Sequence, residues 1–431
     1  MSSNKKLILG LAGYGVVGSG FARALDEGRE LIKRRTGCDI VIKTVAVKSL
    51  DEQFAYPVPE GAALVTDVNA ICDDPDIDVA IELMGGTGIA GTFLLKALQN
   101  GKHVVTANKA LLAEKGIDLF RIAGEKNLHI GYEASVCGAI PIVQTMRESL
   151  AGNNILTVSG ILNGTCNYIL SAMTAKGQSF DEALKDAQKL GFAEADPTLD
   201  IEGFDAAHKL VLLIRLAWGL EYPFKELPVT GITGVGAQDI AFARELGYRI
   251  KLIGQASMIN GKVNAGVFPA LIHEEEMLAK VDGSFNAVWV KCSAAGTVFL
   301  HGRGAGDKPT GSSVLADVMA IAREARPNNT GFISQVPPKA PVTDPAKVES
   351  KYYFRLMVPD RPGTLRDVAG VLAENNMSIA QAIQKGESDV VPLVFMTHSA
   401  SKEEVQNALN AMHSKGLLHS APVCYQVLAR E

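Results

Sequence analysis

The chain lacks the features that mark a secreted, membrane-spanning or nucleic-acid-binding protein. Its 431 residues include six cysteines, none spaced as CxxC, so the sequence indicates neither a disulfide framework nor a zinc site. No apolar run is long enough to cross a bilayer, and the first residues do not form a signal peptide. The formal net charge is −5, with both signs mixed along the chain, which argues against nucleic acid or a membrane as a partner. We therefore expect a cytoplasmic globular protein of several domains.

The N-terminal segment has the order strand, glycine turn, helix. The apolar run KLILGLA at residues 6–12 is typical of a buried parallel strand. The motif that follows comprises Gly13, Tyr14, Gly15, Val16, Val17 and Gly18. Its first glycine makes the tight turn, its second admits the pyrophosphate, and its third lets helix and strand pack closely. The motif predicts a dinucleotide site with the phosphates at the helix N-terminus.

Further strands and helices alternate up to about residue 132, and this alternation predicts a doubly wound parallel sheet in an α/β fold. Ligands of such sheets bind beyond the carboxyl ends of the strands. Gly86 and Thr87 follow one predicted strand, and Asn108 and Lys109 follow another. These four are candidate cofactor contacts, although a plain turn and a surface lysine are the alternatives.

The second predicted strand ends at Lys48, where an acidic residue would indicate NAD. A lysine at this point favours the 2′-phosphate of NADP. Asp51 lies close by in sequence, so the pattern leaves NAD open.

Residues 191–209, GFAEADPTLDIEGFDAAHK, bring several carboxylates and a lysine ahead of the apolar run LVLLIRLAW. Because Lys209 follows Asp205 by four residues, a helix would place the carboxylate and the ammonium on one face. The apolar run predicts that this helix enters the core. Partly buried ionisable groups are often catalytic, since burial tunes them for proton transfer; a surface salt bridge is the alternative.

A second glycine loop, with Gly302, Gly304 and Gly306, precedes a predicted helix. Such a loop can offer backbone N–H groups to an anion, or it can be a plain connector.

The small-residue stretch EASVCGAIP at residues 133–141 is a predicted turn through which the chain leaves the nucleotide domain.

Taken together, these segments resemble homoserine dehydrogenases. The resembling pieces, in the family's order, are GLAGYGVVGSG, ELMGGT, VVTANKALLA, GYEASVCGAIPI, SGILNGTCNYIL, GFAEADPTLDIEGFDAAHKL and GRGAGDKPTGSSVLAD, which cover roughly residues 7–320. The resemblance implies reduction of L-aspartate 4-semialdehyde to L-homoserine with NAD(P)H, on the route to threonine and methionine. It further implies a Rossmann-like domain followed by an α+β substrate and dimerisation domain, in a homodimer or homotetramer.

The resemblance also implies roles for individual residues. Lys209 would donate the proton to the carbonyl oxygen, with Lys109 as its partner beside the nicotinamide. Glu194 and Asp205 would hold the amino-acid end of the substrate. Gly191 and Gly306 would join the cofactor contacts, and a monovalent cation, sodium or potassium, would be bound by Glu133, Val136, Gly138 and Ile140. The chemistry is consistent, because a lysine stabilises the negative charge that hydride addition creates on oxygen.

Three residues depart from the commonest family pattern: Tyr14 in the glycine turn, Lys48, and Cys137. Cys137 also keeps a second enzyme hypothesis open, a semialdehyde dehydrogenase that acts through a cysteine, although no histidine neighbours it in sequence. A nucleotide-sensing regulator without catalysis is a third hypothesis. The retained Lys109, Glu194, Asp205 and Lys209 argue against it.

The C-terminal part follows a proline-rich stretch at residues 326–350, which has the composition of a linker. The order βαββαβ beyond it predicts a ferredoxin-like unit. With the turn DRPGTL it resembles an ACT domain, a regulatory module for which threonine is the expected effector; a purely structural dimerisation module is the alternative. The effector contacts that this resemblance implies are Asp360, Gly363, Asn375 and Asn376. We expect this module to fold on its own, so that its removal leaves an active enzyme.

The expected domains are residues 1–135 for NAD(P) binding, 136–325 for catalysis and dimerisation, 326–350 for the linker and 351–431 for regulation. The last helix of the catalytic domain is expected to return to the nucleotide domain.

Overall fold

The computed structural model describes residues 5–386 and 388–430. The strands are β1 (Lys5–Ala12), β2 (Cys38–Ala46), β3 (Ala63–Val65), β4 (Val79–Glu82), β5 (His103–Thr106), β6 (Ile130–Gly131), β7 (Ile155–Ile161), β8 (Tyr248–Ile259), β9 (Lys262–His273), β10 (Phe285–Cys292), β11 (Gly296–Arg303), β12 (Glu349–Pro359), β13 (Ile379–Gln384), β14 (Val390–Thr397), β15 (Ala400–Ser401) and β16 (Val423–Val427).

The helices are α1 (Val16–Glu27), α2 (Arg29–Thr36), α3 (Asn69–Cys72), α4 (Ile89–Gln99), α5 (Lys109–Glu125), α6 (Ile142–Gln144), α7 (Gly164–Lys176), α8 (Phe180–Lys189), α9 (Thr198–Ile201), α10 (Phe204–Trp218), α11 (Ala237–Glu245), α12 (Asp307–Ala322), α13 (Thr364–Glu374) and α14 (Lys402–Ser414). Within the described ranges, no helix combines the length and apolar character needed to cross a bilayer.

The chain divides into two compact units. The first comprises residues 5–164, Asp205–Leu227 and Phe285–Ala340, and the second comprises Thr165–Phe204, Pro228–Ser284 and residues 341–430. Each unit is therefore assembled from segments that are distant in sequence.

The first unit contains a six-stranded parallel sheet in the order β3-β2-β1-β4-β5-β6. Strand order reverses beside β1, which places a ligand crevice at the carboxyl ends of β1 and β4. The predicted doubly wound α/β fold is thereby confirmed. Its central strands are mostly apolar and buried, namely residues 9–12 of β1 and all of β4, as expected for a sheet covered on both faces.

Helix α12 completes this nucleotide-binding domain although it comes late in the sequence. A Cβ atom on Gly20 would lie 2.3 Å from the carbonyl carbon of Asp307, and one on Gly311 would lie 2.5 Å from the backbone nitrogen of Phe21. The backbones of α1 and α12 thus touch because both helices carry glycine at the contact. Val314 on α12 belongs to the same buried cluster as the strands of the sheet.

The first unit also contains the antiparallel strands β7, β10 and β11, in the order β11-β10-β7. The pairing of Ala287 with Ile161 lies at the end of the ladder between β10 and β7. Beyond it, the chain leaves β7 through Leu162 and Asn163, which are both buried.

The second unit contains strands in the order β8-β9-β16-β12-β14-β13. Its C-terminal part has the order βαββαβ in β12, α13, β13, β14, α14 and β16, which confirms the predicted ferredoxin-like topology. Helix α14 begins with a capping box, in which Ser401 and Glu404 exchange side-chain and backbone hydrogen bonds.

The expectation that this C-terminal part folds on its own stays a prediction, and the strand pairing argues against it. Strand β16 pairs in parallel with β9 through Gln426–Ala270 and Val427–Leu271, so one sheet runs across the expected boundary. The proline-rich stretch also has backbone partners, because Val263 donates to the carbonyl of Pro341 at 2.7 Å. Its composition resembles that of a flexible linker, but edge pairing with β9 fixes its path.

Candidate active site

The glycine turn between β1 and α1 has the geometry that dinucleotide binding needs. Gly13 has a φ of 96°, and a Cβ atom there would lie 2.6 Å from the backbone of Leu83. A Cβ on Gly18 would lie 2.4 Å from the carbonyl oxygen of Gly13, so this glycine lets helix and strand touch. A Cβ on Gly15 would meet nothing within 4 Å, and no side chain caps α1. The N-terminal N–H groups of the helix therefore face open space that suits a pyrophosphate.

The predicted contacts at Val16 and Val17 lie in the first turn of α1, where Val16 is 66% exposed. Tyr14, by contrast, points into the protein. Its ring packs edge-on against Phe54, and its hydroxyl donates to the carbonyl of Pro57 at 2.9 Å. Burial raises the pKa of Tyr14 to about 12. Only the backbone of Tyr14 can face a cofactor, and its side chain anchors the connection between β2 and β3.

Two further strand ends carry a polar network that sequence reasoning missed. The buried Glu82 accepts hydrogen bonds from the backbone N–H groups of Met84 and Gly85, and from the hydroxyl of Thr106 at 2.6 Å. Thr106 Oγ1 in turn accepts a hydrogen bond from the backbone N–H of Asn108. Polar residues that end buried parallel strands were the available signal.

This network holds the two loops that carry predicted cofactor contacts. Asn108 caps α5 by accepting from the N–H of Leu111, and its amide donates to the carbonyl of Gly86 at 2.6 Å. The Thr87 carbonyl and hydroxyl face the ammonium of Lys115 at 3.5 and 3.4 Å. The loop at Gly86 and the start of α5 are thereby tied to one another.

Lys109, Asp205 and Lys209 form a charged cluster in the first unit. Lys209 Nζ lies 2.6 Å from Asp205 Oδ2, and Lys109 Nζ lies 3.1 Å from Asp205 Oδ1. Asp205 and Lys209 are each 7% exposed, whereas Lys109 is half-buried at the start of α5. The spacing on α10 gives the expected ion pair, and the pair lies in the core rather than on the surface.

The charge state of Asp205 follows from its neighbours. Burial would raise the pKa of this carboxyl, but the ammonium groups of Lys209 and Lys109 outweigh burial and lower it. Hydrogen bonds from Lys209 and from the amide of Asn163, at 2.8 Å, add to this effect. Asp205 is therefore an ionised carboxylate that holds two lysines in place.

Two buried residues complete the surroundings of Lys209. The carbonyl of Leu162 accepts from Lys209 Nζ at 2.7 Å and from the amide of Asn286 at 3.0 Å. Asn286 is fully buried. Leu162 lies within the resembling segment SGILNGTCNYIL and Asn286 lies outside the resembling segments. Neither residue has a predicted role, because these contacts arise only when β7, β10 and α10 come together.

The predicted cation loop makes a tight turn in which Cys137 and Gly138 both have a φ of 57°. Carbonyl oxygens of this loop have protein partners: Gly138 accepts from the Ser313 hydroxyl at 2.8 Å, and Ile140 accepts from the N–H of Ile142 at 2.7 Å. The Glu133 carbonyl accepts from the N–H of Val136 at 3.3 Å. Each carbonyl keeps a second lone pair, and an all-oxygen donor set is the type that hard cations prefer.

The side chain of Glu133 already accepts hydrogen bonds from the backbone. Its two oxygens accept from the N–H groups of Val143 and Gln144, both at 2.8 Å. Burial, followed by repulsion from Asp317, raises the pKa of Glu133 to about 7. Burial likewise raises the pKa of Asp317, which accepts from the N–H of Glu133, to about 6. The fit to a cation therefore rests on backbone oxygens, as the resemblance implies.

Gly304 packs directly over this loop, because a Cβ on Gly138 would lie 2.4 Å from its carbonyl oxygen. Gly306 follows with a φ of 135° and begins α12, where no side chain caps the helix. The second glycine loop is thus a tight packing element and also offers backbone N–H groups.

The cysteine hypothesis does not fit the structure. Cys137 is fully buried, and burial raises the pKa of its thiol to about 11. A nucleophilic cysteine needs a lowered pKa and an accessible thiolate. Cys137 is therefore an unreactive packing residue.

Glu194 and Gly191 lie in the second unit, on the connection between α8 and α9. Both are exposed. Gly191 has a φ of 74° and closes the end of α8, and the backbone carbonyl of Glu194 accepts from the amide of Gln188. Lys48 and Asp51 in the first unit are also exposed, just beyond β2.

The predicted effector contacts do not come together within one chain. Asp360 and Gly363 stand at the start of α13, where the amide of Gln384 faces Asp360 Oδ1 at 3.3 Å. Asn375 and Asn376 stand at its other end, and Asn375 donates to the carbonyl of Val371. Eleven residues of helix separate the two pairs, which is about 16 Å. A single amino acid cannot span that distance.

Comparisons with known proteins agree with this geometry. Residues 13–133 match the family model "Homoserine dehydrogenase, NAD binding domain", residues 141–319 match "Homoserine dehydrogenase", and residues 352–416 match "ACT domain". The homoserine dehydrogenase of Neisseria gonorrhoeae is 43% identical over 423 residues, covering 95% of this chain and 96% of that protein.

Solved structures give the same result. A homoserine dehydrogenase from Thiobacillus denitrificans is 39% identical with a TM-score of 0.93, and the match covers 98% of both chains. A hyperthermophilic archaeal homoserine dehydrogenase in complex with NADPH is 26% identical with a TM-score of 0.63, covering 75% of this chain and 99% of that one. With a glycine turn fit for a nicotinamide cofactor, a buried lysine–carboxylate cluster and a C-terminal ACT domain, this chain belongs to the homoserine dehydrogenase family, oxidoreductases that act on CH–OH groups.

Proposed function

We propose that this chain reduces L-aspartate 4-semialdehyde to L-homoserine with NADPH, and that the Lys109–Asp205–Lys209 cluster is the reaction centre. The nicotinamide supplies a hydride to the aldehyde carbon, and the carbonyl oxygen then needs a proton. A buried ammonium group stabilises the charge that develops on this oxygen and can protonate it. The observation that carries the proposal is the placement of two lysines on one buried carboxylate.

Lys209 acts as the proton donor in this proposal, and Lys109 supports it. Asp205 has both oxygens engaged by the two lysines and Asn163. Its role is therefore to orient the lysines and to offset their mutual repulsion. The exposed Glu194 remains the candidate carboxylate for the substrate ammonium, because charge-assisted hydrogen bonds suit that group.

The cofactor and cation assignments complete the proposal. Lys48 gives the enzyme a preference for NADP(H) by pairing with the 2′-phosphate. Gly191 and Gly306 contact the cofactor, as the family resemblance implies. The carbonyls of Glu133, Val136, Gly138 and Ile140 would hold a sodium or potassium ion in a structural role. The active form is a homodimer or homotetramer.

The ACT domain is proposed to bind threonine and to inhibit the enzyme. The turn from Asp360 to Gly363 at the start of α13 is the contact that this structure favours. Backbone N–H groups at a helix start suit the threonine carboxylate, and the Asp360 carboxylate suits its ammonium. Threonine shifts the enzyme toward inhibition only if it binds the inhibited arrangement more tightly.

The decisive assay measures NADPH oxidation by the full chain with L-aspartate 4-semialdehyde and without phosphate. We expect turnover without phosphate, because no acyl-enzyme is formed. Phosphate-dependent reduction of NADP+ with the same semialdehyde, in place of NADPH oxidation, would indicate acyl transfer and would contradict the proposal. A matched pair, Lys109→Ala and Arg121→Ala on the same helix, tests the site: only the first should lose activity, since the ion pairs of Arg121 lie at the surface.

A further inference from the structure

The carbonyl of Leu162 lies where β7 leaves its sheet. Ile161 still pairs with Ala287 across the antiparallel ladder, so the next pair in register would be Leu162 and Asn286. Instead of a ladder partner, the Leu162 carbonyl has two side-chain donors, Lys209 Nζ at 2.7 Å and Asn286 Nδ2 at 3.0 Å. The strand end thus becomes the acceptor for a lysine of the charged cluster.

The orientation of the Asn286 side chain is tightly restricted. The residue is 0% exposed, and a Cβ on Gly304 would lie 2.2 Å from its Oδ1 atom. Turning the amide over would bring Oδ1 against the Leu162 carbonyl, and two acceptors repel each other. Packing against Gly304 and the bond to Leu162 therefore hold the amide donor in one position.

We infer that Asn286 is a positioning residue for Lys209, acting through the Leu162 carbonyl; this inference rests on the proposed function of Lys209. Without the amide, the Leu162 peptide unit can rotate, and the contact that it makes with the ammonium of Lys209 is no longer fixed. Displacement of a reacting group by about 1 Å can cost 10²-fold in rate. Asn286 itself does not touch the reacting atoms.

The second unit supplies a matched control for this arrangement. There, the Val281 carbonyl accepts from Lys251 Nζ at 2.6 Å and from the amide of Asn167 at 3.1 Å. Lys251 and Asn167 are 2% and 1% exposed. The same three groups therefore meet at one carbonyl, with an added contact of 3.1 Å from Lys251 Nζ to Asn167 Oδ1, at a lysine that has no place in the proposed chemistry.

The test compares Asn286→Ala and Asn167→Ala in the full chain. For Asn286→Ala we expect kcat to fall by roughly 10- to 100-fold, with an unchanged dissociation constant for NADPH. Asn167→Ala should keep kcat near the wild-type value, once corrected for the folded fraction. Wild-type kcat in Asn286→Ala, or equal losses in both variants that follow their melting temperatures, would overturn the inference.

A pH profile gives an independent readout. In Asn286→Asp, the introduced carboxyl can donate to the Leu162 carbonyl only while it is protonated. The loss of kcat relative to wild type should therefore shrink as the pH falls, after kcat is corrected for the folded fraction at each pH, since an ionised carboxylate at this buried position also destabilises the fold. A loss that is constant across pH would count against positioning through a donated hydrogen bond.

A crystal structure of Asn286→Ala separates this inference from the proposed function. We expect a changed orientation of the Leu162 carbonyl and a longer distance from its oxygen to Lys209 Nζ. An unchanged distance would overturn the inference whatever the activity. An inactive wild-type chain, by contrast, would overturn the proposed reaction, while the structural comparison would still decide the role of Asn286.

Discussion

Arg355 on β12 donates two hydrogen bonds to the carboxylate of Asp239 on α11, at 2.6 and 2.9 Å. Asp239 is 0% exposed and also accepts from the hydroxyl of Tyr353 at 3.1 Å. Close by, the hydroxyl of Tyr425 donates to the carbonyl of Gly234. The C-terminal domain is thus attached to the rest of the second unit by a buried bidentate ion pair, in addition to the pairing of β16 with β9.

Removing the chain beyond Pro345 should give a poorly folded, inactive protein. The deletion removes Arg355 and Tyr353, the partners of Asp239, and it exposes β9 as an unpaired edge prone to association. Soluble yield, melting temperature and NADPH oxidation of the truncated chain measure this outcome. A soluble truncation with wild-type kcat would restore the view of a detachable module.

Arg355→Ala should destabilise the full chain strongly, by about 3–5 kcal/mol, because Asp239 remains buried without its cation. Lys385→Ala is the matched control, since Lys385 also bridges to α11, through Glu245, but at the surface. Exposed ion pairs contribute little, so the control should unfold like the wild type. Chemical denaturation of both variants checks the contrast; equal midpoints would contradict it.

Lys209→Ala should lower kcat by about 10²–10⁴-fold, the usual loss when a general acid is removed. The dissociation constant for NADPH should change little, because the glycine turn proposed to bind the pyrophosphate lies between β1 and α1 and is untouched. Steady-state kinetics and a cofactor titration measure the two quantities separately. Near-normal turnover would remove Lys209 from the proposed mechanism.

Local features of the fold and site could be predicted from the sequence, because they depend on spacing within one element. The roles of Gly13 and Gly18 follow from a turn of six residues, and the pairing of Asp205 with Lys209 follows from one helical turn. The meeting of Lys109 with Asp205 depends on contacts between distant segments, and only the family resemblance indicated it. Residue types alone also gave no signal for Asn286, since its role depends on strand register.

The predicted linker shows the same limit at the scale of domains. Prolines between residues 326 and 350 are typical of a flexible connection, and the βαββαβ pattern beyond them is complete in itself. Neither pattern reveals that β16 has a second neighbour, because that neighbour, β9, lies about 150 residues earlier in the chain. Composition predicts local flexibility of the chain, whereas strand pairing determines whether a domain can fold on its own.

Wild-type enzyme should prefer NADPH over NADH, and Lys48→Ala should reduce this preference mainly through KM for NADPH. Lys48 is exposed just beyond β2, where an ammonium can meet a 2′-phosphate without steric obstruction. Values of kcat/KM for both cofactors, in wild type and variant, decide the point. A wild-type preference for NADH would show that Asp51 or another group near β2 sets the choice.

Threonine inhibition should depend on residues at the start of α13, so substitutions at the two ends of this helix should have different effects. Because about 16 Å separates Gly363 from Asn375 along the helix, one chain cannot use both ends for a single threonine. Asp360→Ala removes the carboxylate proposed to meet the threonine ammonium, so the concentration for half-inhibition should rise about tenfold or more, given 1.5–3 kcal/mol for a charged hydrogen bond. Asn376→Ala is the control at the far end, where Asn376 is exposed and its backbone has a φ of 59°. Threonine titrations of NADPH oxidation measure both variants at equal enzyme concentration.

If both substitutions weaken inhibition equally, the effector bridges the two helix ends of different copies of the chain, and the site belongs to an assembly. If neither changes the response, threonine does not bind at α13.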